Sequence, residues 1–408
     1  MRTLNLALLS IHSCPLGRPG GKDTGGMNVY VRELALQLGR QGHHVDVFTH
    51  LHDAREPQVV ELGKNVRLVH LRSGAENTDK LALYDYLPEI AANLENFSEK
   101  ENISYDLMYS HYWLSGWTGW LINRTWHIPH LIMFHTIGAV KNSLGIGEDE
   151  PLLRIESEKQ LMQDCDRIVA STEREKETLR RDSAVPYEKV AVIPCGVNLD
   201  LFRPVNRADA RLQIGVPSGK IVLYAGRIER IKGLDRLVKA LRLVNNVPDL
   251  KLLIVGGDAS SRAEIDRLKS LARELGIGDK IDFHESVPQE NLPAYYNAAD
   301  VFVLPSYYES FGMAALEAMA CGTPIVATPV GDWEHIIRNG LNGYTVPDNS
   351  PPHLAQALSL ALSGPAFAPP AEIRSTVAGF GWEHIAEMTL KVCTKLILRE
   401  SERVHEKC

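Results

Sequence analysis

The order of apolar segments constrains this chain more than any other feature. Residues 4–11 form a mainly apolar run, and a long glycine-bearing loop follows. Val31, Leu34, Ala35 and Leu38 then recur at i, i+3, i+4 and i+7, the stripe of a helix packed on one face. Gly42 ends that helix and a second apolar run begins at Val45. Strand, helix, strand in this order is the crossover unit of a parallel sheet.

The alternation persists. Strands are predicted at 66–71, 106–110, 130–134, 167–170 and 189–194, with helices near 27–40, 83–98, 152–164 and 173–181. Several strands are apolar throughout, as suits a sheet covered on both faces. A second set of strands follows, near 221–225, 251–255, 280–283, 300–304 and 324–327, with a helical stripe at Leu234, Leu237, Val238 and Leu241. A final helix is predicted from about 382 to 400. The fold class is therefore α/β: two doubly wound, Rossmann-like domains, residues 1–197 and 198–380, facing a cleft. The segment 381–408 is expected to pack back on the first domain. Ligands of such sheets sit at the carboxyl ends of the strands.

A length of 408 residues suits two domains. The formal charge is −7, without a basic block, which disfavours a nucleic-acid binder. No apolar run approaches the ~20 residues needed to span a bilayer. The run at 4–11 lacks a signal-peptide cleavage site and reads as a buried strand, so the sequons at Asn96, Asn102 and Asn123 carry little meaning. The six cysteines are dispersed, with no metal-ligand spacing, and a cytoplasmic location with reduced thiols is expected.

Three loops are candidates for chemistry. The loop at 13–24, continuing through Gly25 and Gly26, is longer than the ~2–6 residues of a plain turn, and glycines before a helix let a phosphate approach the backbone. It is not a dinucleotide fingerprint, since no G-x-G-x-x-G occurs. Arg227 and Lys232 follow the first strand of the second set and can converge on a diphosphate, although such residues also flank many helices. In the third, Glu309-Ser310-Phe311-Gly312-Met313 opens a helix that carries Glu317. Two carboxylates eight helical residues apart would be separated by ~12 Å, too far for a glycosidase pair at ~5–9.5 Å. The spacing suits a grip on two ends of an extended ligand; one capping and one solvated glutamate is the plainer alternative.

His111 and His135 follow adjacent strands and are candidates for hydrogen bonding or proton handling. His12, His43, His44 and His284 show no such companions. Asp164-Cys165-Asp166 spells D-x-D, but it ends a helix and precedes a strand, and no metal role is expected.

Together, Gly25-Gly26-Met27-Asn28-Val29-Tyr30, Ser110-His111-Tyr112-Trp113-Leu114-Ser115-Gly116, Phe134-His135-Thr136, Gly226-Arg227 with Lys232-Gly233, and Glu309-Ser310-Phe311-Gly312 with Glu317-Ala318 resemble the retaining, GT-B-fold glycosyltransferases of group 1. The resemblance covers nearly the whole chain. That family includes sucrose-phosphate synthase and the mycothiol-pathway N-acetylglucosaminyltransferase acting on inositol phosphate, and the first two motifs are most similar to the latter.

The resemblance implies a metal-independent hexosyltransferase without a cofactor, using a nucleotide sugar such as a UDP-sugar. Arg227 and Lys232 would neutralise the leaving diphosphate, Glu309 would hold sugar hydroxyls, Glu317 the ribose, and His135 the transferred sugar. Gly25, Gly26, Ser310, Phe311, Gly312 and Met313 would complete the donor site. Asn28, Lys80, His111, Tyr112, Thr136 and Arg154 would bind a small phosphorylated acceptor, with Lys141-Asn142 nearby. The leaving phosphate itself would take the acceptor's proton. Gly331-Asp332-Trp333 departs from the family's Gly-Gly-Leu or Gly-Gly-Pro. Fructose 6-phosphate is an alternative acceptor, and a non-catalytic sugar-nucleotide binder an alternative of another class. A lipid acceptor fits less well, because the 83–98 helix is acidic rather than basic and no membrane contact is expected. An NAD-dependent dehydrogenase lacks its glycine fingerprint.

Overall fold

A computed structural model describes residues 2–17, 25–53, 55–74, 80–216 and 218–407; Gly20, Gly21 and Thr24 of the first candidate loop lie outside the described residues. The first sheet contains β1 (Asn5–Leu9), β2 (His44–His50), β3 (Val59–Gly63), β4 (Val66–Leu71), β5 (Leu107–His111), β6 (His130–Met133), β7 (Arg167–Ala170) and β8 (Val190–Val192). Their spatial order is β3-β4-β2-β1-β5-β6-β7-β8. Every pairing is parallel except that of β3 with β4.

The second sheet contains β9 (Lys220–Ala225), β10 (Leu250–Val255), β11 (Ile281–His284), β12 (Val301–Leu304), β13 (Ile325–Ala327) and β14 (Gly343–Thr345). It is parallel throughout, in the order β11-β10-β9-β12-β13-β14. The strand order of both sheets reverses beside the first strand, and crevices for ligands form at that point.

The central strands are buried on both faces, which is why they read as largely apolar runs. Several elements were not anticipated, among them one long helix and two strands. The helix Trp113–Trp126 carries Gly116 and Gly119, which weaken a helical reading. Both are held by contact: a Cβ at Gly119 would lie 2.8 Å from the His130 ring and the Ser110 hydroxyl, and one at Gly116 2.8 Å from Leu161. Strands β3 and β14 are short edge strands with little apolar pattern. The helix expected near 83–98 is divided, with a tight turn at Ala82–Tyr86 leading into Leu87–Glu101.

One core cluster joins the sheets, running from Tyr30 and Tyr109 through Cys195, Val197 and Phe202 to Leu223 and Phe302. The chain crosses between sheets near Gly196 and again near Gly381, and the Val197 amide donates to the Phe380 carbonyl at 2.8 Å. Trp382 begins the helix Trp382–Lys407, stands edge-on to Tyr30 at 5.3 Å between centroids, and covers Gly196 so closely that no Cβ fits there. This helix packs on Gly26–Arg40 of the first half. The two sheets are thus tied by buried aromatic area as well as by chain connections.

Candidate active site

A cleft of about 300 Å³ lies between the carboxyl ends of the two sheets, the size range of small-ligand pockets. On the side of the second sheet, β9 ends at Gly226 with φ +151°, and Arg227 enters the cleft beside Glu229 at 2.8 Å. Lys232 closes a short turn before Gly233, whose φ is +69°. A side chain at Gly233 would run into the Pro305 carbonyl oxygen. That close approach sets Lys232 Nζ 2.8 Å from Glu309 Oε1, and Ser306 Oγ donates to the same oxygen at 2.9 Å.

The next turn is equally determined. Gly312, with φ +101°, precedes the helix Met313–Ala320, and a Cβ there would lie 2.6 Å from Trp333 Nε1. That indole donates to the Phe311 carbonyl at 2.6 Å, so the tryptophan that departs from the family pattern braces the signature turn. Glu317 faces the same cleft from within the helix, 6% exposed. It accepts from Tyr296 Oη at 2.7 Å and Gln289 Nε2 at 3.2 Å. Burial nevertheless pushes its carboxyl up to about 7. Gln289 is itself held from the first half by Arg32 Nη2 at 2.5 Å.

The first sheet supplies the opposite wall. A Cβ on Gly25 would lie 3.6 Å from Arg227 Nε, and one on Gly26 3.2 Å from Met313 Sδ, so the glycine turn meets the Arg227 and Met313 loops directly. Asn28 lines the cleft, but its amide is occupied. Its Nδ2 donates to Cys14 O at 2.6 Å and to Ser13 Oγ at 2.7 Å, and its Oδ1 accepts from the Gly25 amide at 3.0 Å. It fastens the two ends of the loop.

His135 and Tyr112 both hold φ above zero, +60° and +77°, uncommon for residues other than glycine and typical of constrained sites. His135 lines the cleft. His111, expected to meet the acceptor, does not line the cleft: it is 0% exposed and sits behind His135, Nδ1 to Nε2 at 3.0 Å. The cause is its position as the last residue of a central strand, where the side chain turns into the core between Tyr109 and Tyr30. Burial lowers both imidazoles, His135 to about 3 and His111 well below its ordinary value, so this pair shares one hydrogen bond between neutral rings.

Lys80, Tyr112, Thr136 and Arg154 are brought together at one end of the cleft. Tyr112 is the centre: Lys80 Nζ stands 5.3 Å and the Arg154 guanidinium 4.7 Å from its ring, favourable cation–π distances. Arg154 also donates to Thr136 O at 2.8 Å and Thr136 Oγ1 at 3.0 Å. His12, read from sequence as lacking companions, belongs here too. Its ring lies 4.3 Å from that of Tyr112, and burial, with Lys80 and Arg154 adding to it, keeps it neutral. Its partner is a hundred residues away in sequence, so no local pattern could have shown it. Ser306, Tyr308, Gln289, Tyr296 and Glu150 also line or brace the site and were missed, being common residue types without a motif.

The D-x-D pair is structural. Asp164 accepts from Trp120 Nε1 at 2.8 Å, and Asp166 from the His130 amide at 2.8 Å. Among the described residues no three His, Cys, Asp or Glu side chains are grouped as metal ligands. None of the described helices is long and apolar enough to cross a membrane.

Two parallel sheets meeting at a cleft with these charged loops define a glycosyltransferase of the GT-B fold. A family model described as "Glycosyl transferases group 1" matches residues 207–375, and one described as "Glycosyltransferase Family 4" matches residues 24–201. The chain belongs to the group 1 glycosyltransferases. It is 36% identical to the D-inositol 3-phosphate glycosyltransferase of Xylanimonas cellulosilytica, over 98% of each chain. With that of Kineococcus radiotolerans the identity is 39%, over 98% of this chain and 97% of the relative. The structure of sucrose-phosphate synthase from Thermosynechococcus elongatus superposes with a TM-score of 0.87 at 34% identity, covering 98% of this chain and 100% of that one. Anabaena HepE, solved in complex with UDP and glucose, shares the fold at 16% identity, with a TM-score of 0.71 and 99% of each chain covered.

Proposed function

We propose that this glycosyltransferase moves a sugar from a UDP-sugar to inositol phosphate, with retention at the anomeric carbon and without a metal ion. The observation that carries the reading is the polarity of the cleft. Arg227, Lys232 and the Glu309–Glu317 segment line its second-sheet side, while Lys80, Tyr112, Thr136 and Arg154 gather on the first. A nucleotide diphosphate is matched by the former and a phosphorylated polyol by the latter.

In this reading Arg227 and Lys232 stabilise charge on the departing diphosphate, the kind of preorganised charge that usually dominates such catalysis. Glu309 and the Ser310–Met313 turn receive the transferred sugar, and Glu317 the ribose. Neutral His135, buttressed by His111, orients the sugar by hydrogen bonding rather than by proton transfer. The leaving phosphate takes the acceptor's proton. We place the division between domains at residues 197 and 198, and the enzyme in the cytoplasm.

The full-length likeness to inositol-phosphate glycosyltransferases supports inositol phosphate as acceptor. The likeness to sucrose-phosphate synthase favours fructose 6-phosphate as the second reading. A matrix of UDP-, GDP- and ADP-sugars against inositol phosphate, fructose 6-phosphate and their unphosphorylated forms separates the two. Product only with fructose 6-phosphate overturns the first.

A further inference from the structure

Arg154 is 2% exposed, and its hydrogen-bonding capacity is nearly spent. Its Nε donates to Glu158 at 2.6 Å, its Nη2 to both oxygens of Thr136, and its Nη1 to Glu150 at 2.8 Å. Those four bonds leave one of a guanidinium's five N–H groups. Lys141 is likewise engaged, its ammonium bonded to the other oxygen of Glu150. Glu150 therefore holds two of the three cations that gather at this end of the cleft, Lys80 being the third.

The carboxylate is placed there by construction. Asn142 clamps the Glu150 backbone from both directions, accepting from its amide at 2.7 Å and donating to its carbonyl at 3.0 Å. Pro151 follows and the helix Leu152–Asp164 begins, so the side chain stands at an N-terminus that favours an anion. Glu150 lines the cleft, 15% exposed. Burial opposes its charge, but Arg154 and Lys141 hold its carboxyl below the usual value. Glu158, on the far side of Arg154, is the structural counter-ion: it is fully buried and also accepts from the Gly138 amide.

We propose that Glu150 is a specificity-determining residue, an internal anion that the acceptor's phosphate displaces. This rests on the reading of that end of the cleft as a phosphate site. A dianion exchanging for one carboxylate gains a net unit of charge against Arg154 and Lys141, and Glu150 returns to water. A singly charged carboxylate acceptor exchanges like for like, and a neutral one has nothing to exchange. Glu150 thus sets a threshold that only a phosphomonoester or similar dianion clears.

The test is binding of inorganic sulfate, a dianion at all working pH, by calorimetry on the full chain, alongside KM for inositol phosphate. Glu150→Gln keeps the shape and removes the competing charge. Sulfate should bind roughly three- to tenfold more tightly, and KM should fall by a like factor, KM rather than kcat carrying the change. Should E150Q fold poorly, E150D, with its carboxylate drawn back, should show a smaller tightening in the same assay. Tighter sulfate without turnover of any phosphorylated acceptor supports the role of Glu150 and removes the acceptor reading. Sulfate bound no more tightly in either variant overturns the inference, and marks Glu150 as a residue that merely arranges Arg154 and Lys141.

Discussion

Lys232 and Glu309, 77 positions apart, form an ion pair at 2.8 Å in which each side chain is 14% exposed. Their contact joins the loop after β9 to the turn after β12, and it exists because Gly233 lets the backbone pass against Pro305. A pair so placed couples the group assigned to the donor diphosphate with the group assigned to the sugar.

Replacing Lys232 with Ala should therefore lower kcat by about 10²–10³-fold, the usual cost of one preorganised charge partner. Thermal unfolding should move little, since Glu309 keeps Ser306 as a partner. Combined with Glu309→Gln the losses should be less than multiplicative, because the residues act together. Near-normal turnover in K232A would remove Lys232 from the diphosphate site.

Glu317 gives a pH prediction. Its carboxyl lies at about 7 in the fold against an ordinary 4.5, so between these values the folded chain binds more protons than the unfolded one. Stability from this group is complete below about pH 4.5 and is lost as pH rises through about 7. Denaturant titrations at pH 5 and pH 8 should show that decline in the wild type and a flatter response in Glu317→Gln. An unchanged slope in the variant would assign the decline elsewhere.

The histidine pair behaves oppositely. With His135 lowered to about 3 by burial, its contribution to stability is present above about pH 6.5 and is lost as pH falls toward 3. The ring-proton chemical shifts of His135 and His111 should stay flat between pH 5 and pH 8. A titration midpoint near 6.5 in either would contradict the neutral hydrogen-bonded pair.

Trp333 and Gly312 are the structural brace. Gly312→Ala forces a side chain onto the indole at a φ that disfavours one, and should cost about 1–3 kcal/mol. Trp333→Phe loses the bond to the Phe311 carbonyl and should cost about 1–3 kcal/mol for the buried acceptor left unpaired. Both should weaken nucleotide binding in calorimetry. A stable variant with unaltered nucleotide affinity would separate this brace from the donor site.

Much of the fold is legible in the chain because its central strands are buried on both faces. The 66–71 and 167–170 predictions coincide with β4 and β7, each a short, mainly apolar segment. The Trp113–Trp126 helix was not legible, since its glycines answer to His130, Ser110 and Leu161, which only the folded chain brings near. The site divides the same way. Motifs exposed Glu309–Glu317, Arg227 and Lys232, each beside a strand end. They could not expose His12 against Tyr112, Gln289 and Tyr296 on Glu317, or Glu150 on Arg154, because those contacts join residues without a local signature. His111 and His135 looked equivalent as strand-end histidines. The sheet turns one into the core and the other to the cleft.

The proposed chemistry is tested most directly by proton NMR of the products from UDP-N-acetylglucosamine and inositol phosphate in excess EDTA. The account predicts a new glycoside bearing the phosphate, its anomeric coupling matching that of the donor, formed at an undiminished rate without divalent ions. An inverted anomer, a strict need for a divalent ion, or release of UDP with only free sugar would contradict it.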